Sequence, residues 1–197
     1  MEKLENDIEI MAPVGSFPAL QAALQAGADA VYFGVGQLNM RARAAVNFQA
    51  GDLAGIADTC REHGTRTYLT LNTVVYDNEL EECRRVLDLA KESGINAVIS
   101  SDWAVITYAR QIGMEVHIST QCNVTNTEAV RFYARFADVM VAARELSLEQ
   151  VAQITSAIRK ENICGPSGKP VQIEIFAHGA LCMAVSGKCY LSLDYYN

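Results

Sequence analysis

Seven short runs rich in β-branched and aromatic residues recur along the chain, separated by longer stretches with helical spacing of apolar residues. The runs are 8–14 (IEIMAPV), 30–35 (AVYFGV), 65–72 (TRTYLTLN), 97–102 (AVISSD), 115–121 (EVHISTQ), 138–143 (DVMVAA) and 173–179 (IEIFAHG). The clearest helical stretches are PALQAALQAG, DLAGIADTCREHG, ELEECRRVLDLAKESG and SLEQVAQITSAIRKEN, and several of them close on glycine as helix ends do. Such alternation predicts a parallel sheet with helices packed outside it.

Alternate residues of each run separate into two sets. Ile8, Ile10, Val31, Phe33, Leu69, Leu71, Val116, Ile118, Val139, Val141, Ile173 and Ile175 form the apolar set. Glu9, Tyr32, Tyr68, Thr70, Asn72, Ser100, Asp102, His117, Ser119, Gln121, Arg144, Glu174 and His178 form the polar one. A doubly wound sheet is covered on both faces and is apolar on both. A polar face in strand after strand instead predicts a TIM-like (βα)8 barrel whose polar set lines the lumen. Only seven runs are present, and the chain ends where the eighth βα unit would begin. The expectation is a single domain, 1–197, forming the front part of a longer barrel. Its first and seventh strands would then have open edges that favour a homodimer.

Composition narrows the classes. Half of the 197 residues are hydrophobic, enough for one real core. A net charge of −7 disfavours broad electrostatic gripping of nucleic acid. The acidic start MEKLENDIEIM lacks the basic and apolar segments of a secretion signal, and no apolar run is long enough to span a bilayer, so the chain reads as cytoplasmic. In that compartment six cysteines suggest metal, redox chemistry or packing before disulfides.

Barrel chemistry gathers where strands end. That rule selects Asn72, Gln121, Asn123 and Arg144 as substrate contacts, joined by Arg41 and Arg43 from the loop NMRARA, whose guanidinium groups suit a carboxylate or phosphate. His117, Glu174 and His178 are the candidates for proton transfer, against the plainer reading of hydrogen-bonded lumen residues or, for Glu174 and Glu9, of partners to an arginine such as Arg144. Cys182 and Cys189, in HGALCMAVSGKCYLS, read either as metal or cluster ligands or as structural or reactive thiols. A Cys182–His–Glu174 hydrolase triad has no local signature. Cys60 and Cys83 share faces with leucines and read as packing, as does Cys122, while His63 reads as a helix cap.

The run EIFAHGALCMAVSGKCYLS resembles the signature of the peptidase U32 family, and IMAPVGSFPALQAALQAGADAVYFG, NMRARA, YLTLNT, HISTQCNVTN and VAARELSLEQ follow in the family's order. The resemblance implies a barrel-like catalytic domain. It further implies oxygen-independent hydroxylation, of ribosomal RNA, of the wobble uridine of transfer RNA or in ubiquinone synthesis, with prephenate as the donor in the RNA enzymes. It also implies a labile [4Fe–4S] cluster, for which Cys182 and Cys189 match the first two ligands and the other two lie beyond this chain. The older family name implies a collagenase-like peptidase. A chain with half a ligand set could also be a non-catalytic ligand- or partner-binding domain.

Overall fold

The structure, a computed structural model, describes residues 8–36, 48–179 and 186. Seven parallel strands stand in chain order: β1 (Met11–Pro13), β2 (Ala30–Phe33), β3 (Arg66–Thr70), β4 (Ala97–Ser100), β5 (Glu115–Ile118), β6 (Val139–Val141) and β7 (Gln172–Glu174). Between them run α1 (Phe17–Gln25), α2 (Leu53–Glu62), α3 (Leu80–Glu92), α4 (Trp103–Gln111), α5 (Thr127–Tyr133) and α6 (Leu148–Glu161). Consecutive strands pair and each is followed by a helix or loop over one face, which is the TIM-like arrangement the alternation predicts. Among the described residues β1 and β7 each pair on one side only, so the strands form an open part-barrel.

The helices begin where capping chemistry is available. Asn126 Oδ1 accepts from Ala129 N at 2.9 Å to start α5. Ser147 and Gln150 satisfy each other's backbone N–H groups to start α6. His63 ends α2, with Nδ1 2.9 Å from the carbonyl of Thr59. Val31, Phe33, Leu69, Val98, Val116, Ile118 and Met140 turn outward into one continuous core with Leu53, Ile56, Leu87, Ile106 and Val130 of the helices. Cys60 and Cys83 lie inside this core, as expected for packing residues.

The strand register corrects part of the face assignment. Val139 pairs with His117 and Val141 with Glu174, so both valines face inward, not toward the helices. Ser100 pairs with Ile118 and faces outward. Its hydroxyl accepts from the backbone N–H of Asp102, whose own carboxylate caps α4 by accepting from Ala104 N at 2.8 Å. These two polar residues serve the strand-to-helix turn, and the inward position on β4 belongs to Ile99, which packs with Ala30, Tyr68 and Ala97. The lumen's polarity therefore alternates by strand. Its charged groups and its histidine come from the odd strands: Glu9 ahead of β1, Arg66 beside Tyr68 on β3, Glu115 and His117 on β5, and Glu174 on β7. The even strands supply Ala30, Tyr32, Ala97, Ile99, Val139 and Val141. A barrel layer is built from alternate strands, so the charged groups share layers and can meet.

Candidate functional site

Five of those groups close a ring. Glu9 Oε1 accepts from the Tyr68 hydroxyl at 2.6 Å, and Glu9 Oε2 accepts from Arg66 at 3.2 Å. The other arm of Arg66 reaches Glu115 Oε2 at 3.3 Å, and Glu115 Oε1 accepts from His117 Nε2 at 3.1 Å. The His117 and Tyr68 rings, 4.6 Å apart, complete the circuit, and the Arg66 guanidinium lies 5.2 Å from the Tyr68 ring centre. The arginine that neutralises Glu9 is therefore Arg66, not Arg144. Arg66 lies in the run 65–72 at the parity of Tyr68 and Thr70, and the polar set above left it out.

Burial sets the protonation of the ring and its neighbour. His117 is only 2% exposed. The His117 hydrogen bond holds the Glu115 carboxyl below the usual range, with the positive charges of Arg66 and Lys169 assisting. Tyr68 is raised by burial and by its bond to Glu9. Glu174 is pushed up to about 7, first by burial and then by the negative charge of Glu9, which the curl of the sheet brings within range. At neutral pH the lumen thus holds one carboxyl that exchanges its proton easily and one that stays ionised.

At the strand ends the predicted residues divide. Gln121 is half-buried, and its Oε1 accepts from the Ser119 hydroxyl at 2.8 Å, which keeps it on the inward side of the β5 end. Asn72 is half-buried just past β3. Asn123 is exposed and takes the left-handed backbone (φ 52°) that ends the turn after β5, a conformation asparagine tolerates. His178 is exposed beyond β7. Arg144 is exposed at the end of β6, with its guanidinium 6.0 Å from the Phe176 ring centre. Arg41, Arg43, Cys182 and Cys189 lie outside the described residues.

Sequence inspection missed Ser186, which stands between the two cysteines of the motif. It is 1% exposed and clasped to the β6 end. Its hydroxyl accepts from the backbone N–H of Arg144 at 3.2 Å, and its own N–H donates to Glu145 Oε1 at 2.7 Å. That backbone bond is the main cause of a lowered Glu145 carboxyl. This clasp fixes one point of the motif at the carboxyl end of the sheet.

Cys60 and Cys83 are buried in the helix-side core, and burial pushes both thiols up to about 11. Burial raises Cys122 as well. Among the described residues no group of three or more His, Cys, Asp and Glu could share a metal ion. Nor is a hydroxyl or thiol paired with His117, whose Nε2 goes to Glu115 and whose Nδ1 meets no hydrogen-bond partner. No helix among the described residues is long and apolar enough to cross a membrane.

A part-barrel of parallel strands with a titratable lumen, and with Ser186 held at the end of β6, defines the class. The family is shown by comparison: residues 15–196 match the model of peptidase family U32, and the chain belongs to that family. It is 60% identical over 98% of its length to a "Collagenase" of Porphyromonas gingivalis, covering 46% of that protein. It is 32% identical over 94% of its length to the "23S rRNA 5-hydroxycytidine C2501 synthase" of Escherichia coli, covering 26% of it. The chain thus spans less than half the length of these curated relatives. Among solved structures, the U32 peptidase Mk0906 superposes with a TM-score of 0.66 at 15% identity, covering 92% of this chain and 97% of that one, a likeness of fold.

Proposed function

We propose that this chain carries the ligand-binding lumen of an oxygen-independent hydroxylation enzyme of the U32 family, acting on an RNA base and taking its oxygen from a small anionic donor of the prephenate type. The observation that supports this best is the His117–Glu115 pair in a lumen of ionisable groups. Among the described residues His117 is held by a carboxylate and meets no hydroxyl or thiol to activate, which supports proton handling on a bound small molecule. The name of the ribosomal RNA relative supplies the reaction class. A quinone-type substrate would use the same lumen.

In this reading His117 and Glu174 move protons, and Asn72, Gln121 and Asn123 line the approach with His178. Arg144, together with Arg41 and Arg43, meets the donor's carboxylates at the strand ends. Cys182 and Cys189 supply two thiolates to a [4Fe–4S] cluster; Ser186, between them in the sequence, is held at the β6 end. Nucleoside mass spectrometry of cellular RNA tests the proposal. A hydroxylated nucleoside should vanish on deletion of the gene, return with the wild-type gene, and not return with His117→Ala. An unchanged nucleoside profile would overturn it. Iron analysis after anaerobic purification tests the thiolates, because Cys182→Ala with Cys189→Ala should abolish bound iron.

A peptidase reading is favoured by one observation, the collagenase name of the relative with 60% identity. Gelatin cleavage by highly purified protein that disappears in Cys182→Ala would establish it.

A further inference from the structure

Among the described residues one nitrogen in the ring has no partner. Nδ1 of His117 is buried and meets neither donor nor acceptor, whereas both oxygens of Glu9 and of Glu115, the Tyr68 hydroxyl and His117 Nε2 are paired. The pairing of Nε2 decides what Nδ1 can do. An ionised carboxylate accepts hydrogen bonds and donates none, so Nε2 must carry the proton it gives to Glu115. A second proton, on Nδ1, would leave a charged donor buried without an acceptor, which is costlier than a bare lone pair. The neutral Nε2–H form therefore presents a lone pair at Nδ1. Strand register places this side chain inward, beside Val139 on β6 and Ile99 on β4. The charged and titratable groups around it are Glu115, Tyr68, Arg66 and Glu9, with Lys169 near enough to act on Glu115 and Glu174 near enough to act on Glu9.

We infer that Nδ1 of His117 accepts a hydrogen bond from a hydroxyl group of the lumen's small anionic ligand, and that Glu115, restrained by Arg66, is the positioning residue that fixes the tautomer needed for it. This deepens the reading of the lumen as a donor site and rests on it, though not on which base is hydroxylated. The ligand class is a hydroxylated carboxylate. Its hydroxyl would satisfy the imidazole.

Nitrogen-15 NMR of histidine-labelled protein tests both halves. At neutral pH the wild-type His117 should show the Nε2–H tautomer. Glu115→Gln, whose amide oxygen still accepts from Nε2, should retain it, and Glu115→Leu should mix the two tautomers. Malate and succinate then serve as probes over the millimolar range, since they differ by one hydroxyl. Malate should shift the His117 Nδ1 resonance at least several-fold more than succinate does. An imidazolium or an Nδ1–H tautomer in the wild type overturns the inference without requiring any variant to fold. Equal shifts with both probes, or no shift with either, overturn it too. A failure of the hydroxylation reading would appear separately, as unchanged nucleosides.

Discussion

Glu174 and Glu115 share a lumen but have opposite relations to pH. The Glu174 carboxyl is raised from its ordinary 4.5 to about 7, so the folded chain binds its proton more tightly than the unfolded chain does. Folding is not penalised by this group below about 4.5. The penalty grows as pH rises and is complete above about 7. Glu174→Gln should therefore raise the melting temperature relative to wild type at pH 8 and leave it nearly unchanged at pH 4, by thermal unfolding across that range. Glu115 is lowered, chiefly by its His117 bond, so its contribution is present above the ordinary carboxylate range and is lost on acidification through its depressed value. Gly165 gives a second prediction at this scale. A Cβ there would lie 2.8 Å from the Asp138 Cα and 2.9 Å from the Ala137 carbonyl, both backbone atoms that cannot swing aside. Gly165→Ala should cost about 1–3 kcal/mol in denaturant unfolding, as overpacked sites do. His117 and Glu174 were legible from the sequence because each breaks an apolar run at an inward position. Arg66 shares the parity of Tyr68 and Thr70 in its run, but its pairing with Glu9 and Glu115, from distant strands, was not legible. Ser186 was hidden because its partners, Arg144 and Glu145, lie some forty positions away in the chain.

Among the elements, periodicity located all seven strands and the four strongest helices. α4 and α5 are short and carry aromatic residues that blur the helical repeat. What periodicity could not supply was which face polar residues take at a strand's end. Ser100 and Asp102 look like lumen residues until the turn into α4 is seen to need a hydroxyl and a cap. The alternation of charged odd strands with uncharged even ones has an energetic reason. Charged groups in a low-dielectric lumen must pair, and only strands of one parity meet in a layer. The pairing is measurable. Tyr68→Phe removes a hydrogen bond to a carboxylate and should destabilise by about 1–2 kcal/mol, less than for a sealed site because Glu9 is 39% exposed. A double-mutant cycle with Glu9→Gln should return a coupling well above zero, whereas Tyr68→Phe with an outward residue such as Leu89→Ala should be additive.

For the whole molecule, four exposed apolar residues stand at the two edges left unpaired among the described residues. Ile8 and Ile10 flank the approach to β1, and Ile175 and Phe176 follow β7. Edges of this kind attract further strands. Sedimentation equilibrium of the purified chain should show concentration-dependent association, and Ile175→Lys should weaken it several-fold. A monomer at all concentrations would count against the homodimer expected from open edges. Neither the family nor the part-barrel required the structure to be recognised, because hydrophobic alternation and the cysteine motif are local properties of the chain. The ring of lumen groups did require it, because its members are separated by up to about a hundred residues and meet only once the sheet is curled.

That ring has a mechanical consequence. β1, β3 and β5 share no backbone hydrogen bonds with one another, yet Glu9, Arg66, Tyr68, Glu115 and His117 bind them together across the interior. The ladder fixes how far apart these strands stand, and the five side chains cross-brace them within that spacing. Shortening one of these braces, as in Arg66→Lys or Glu9→Asp, loosens the tie between strands that share no ladder, with every strand pairing left intact.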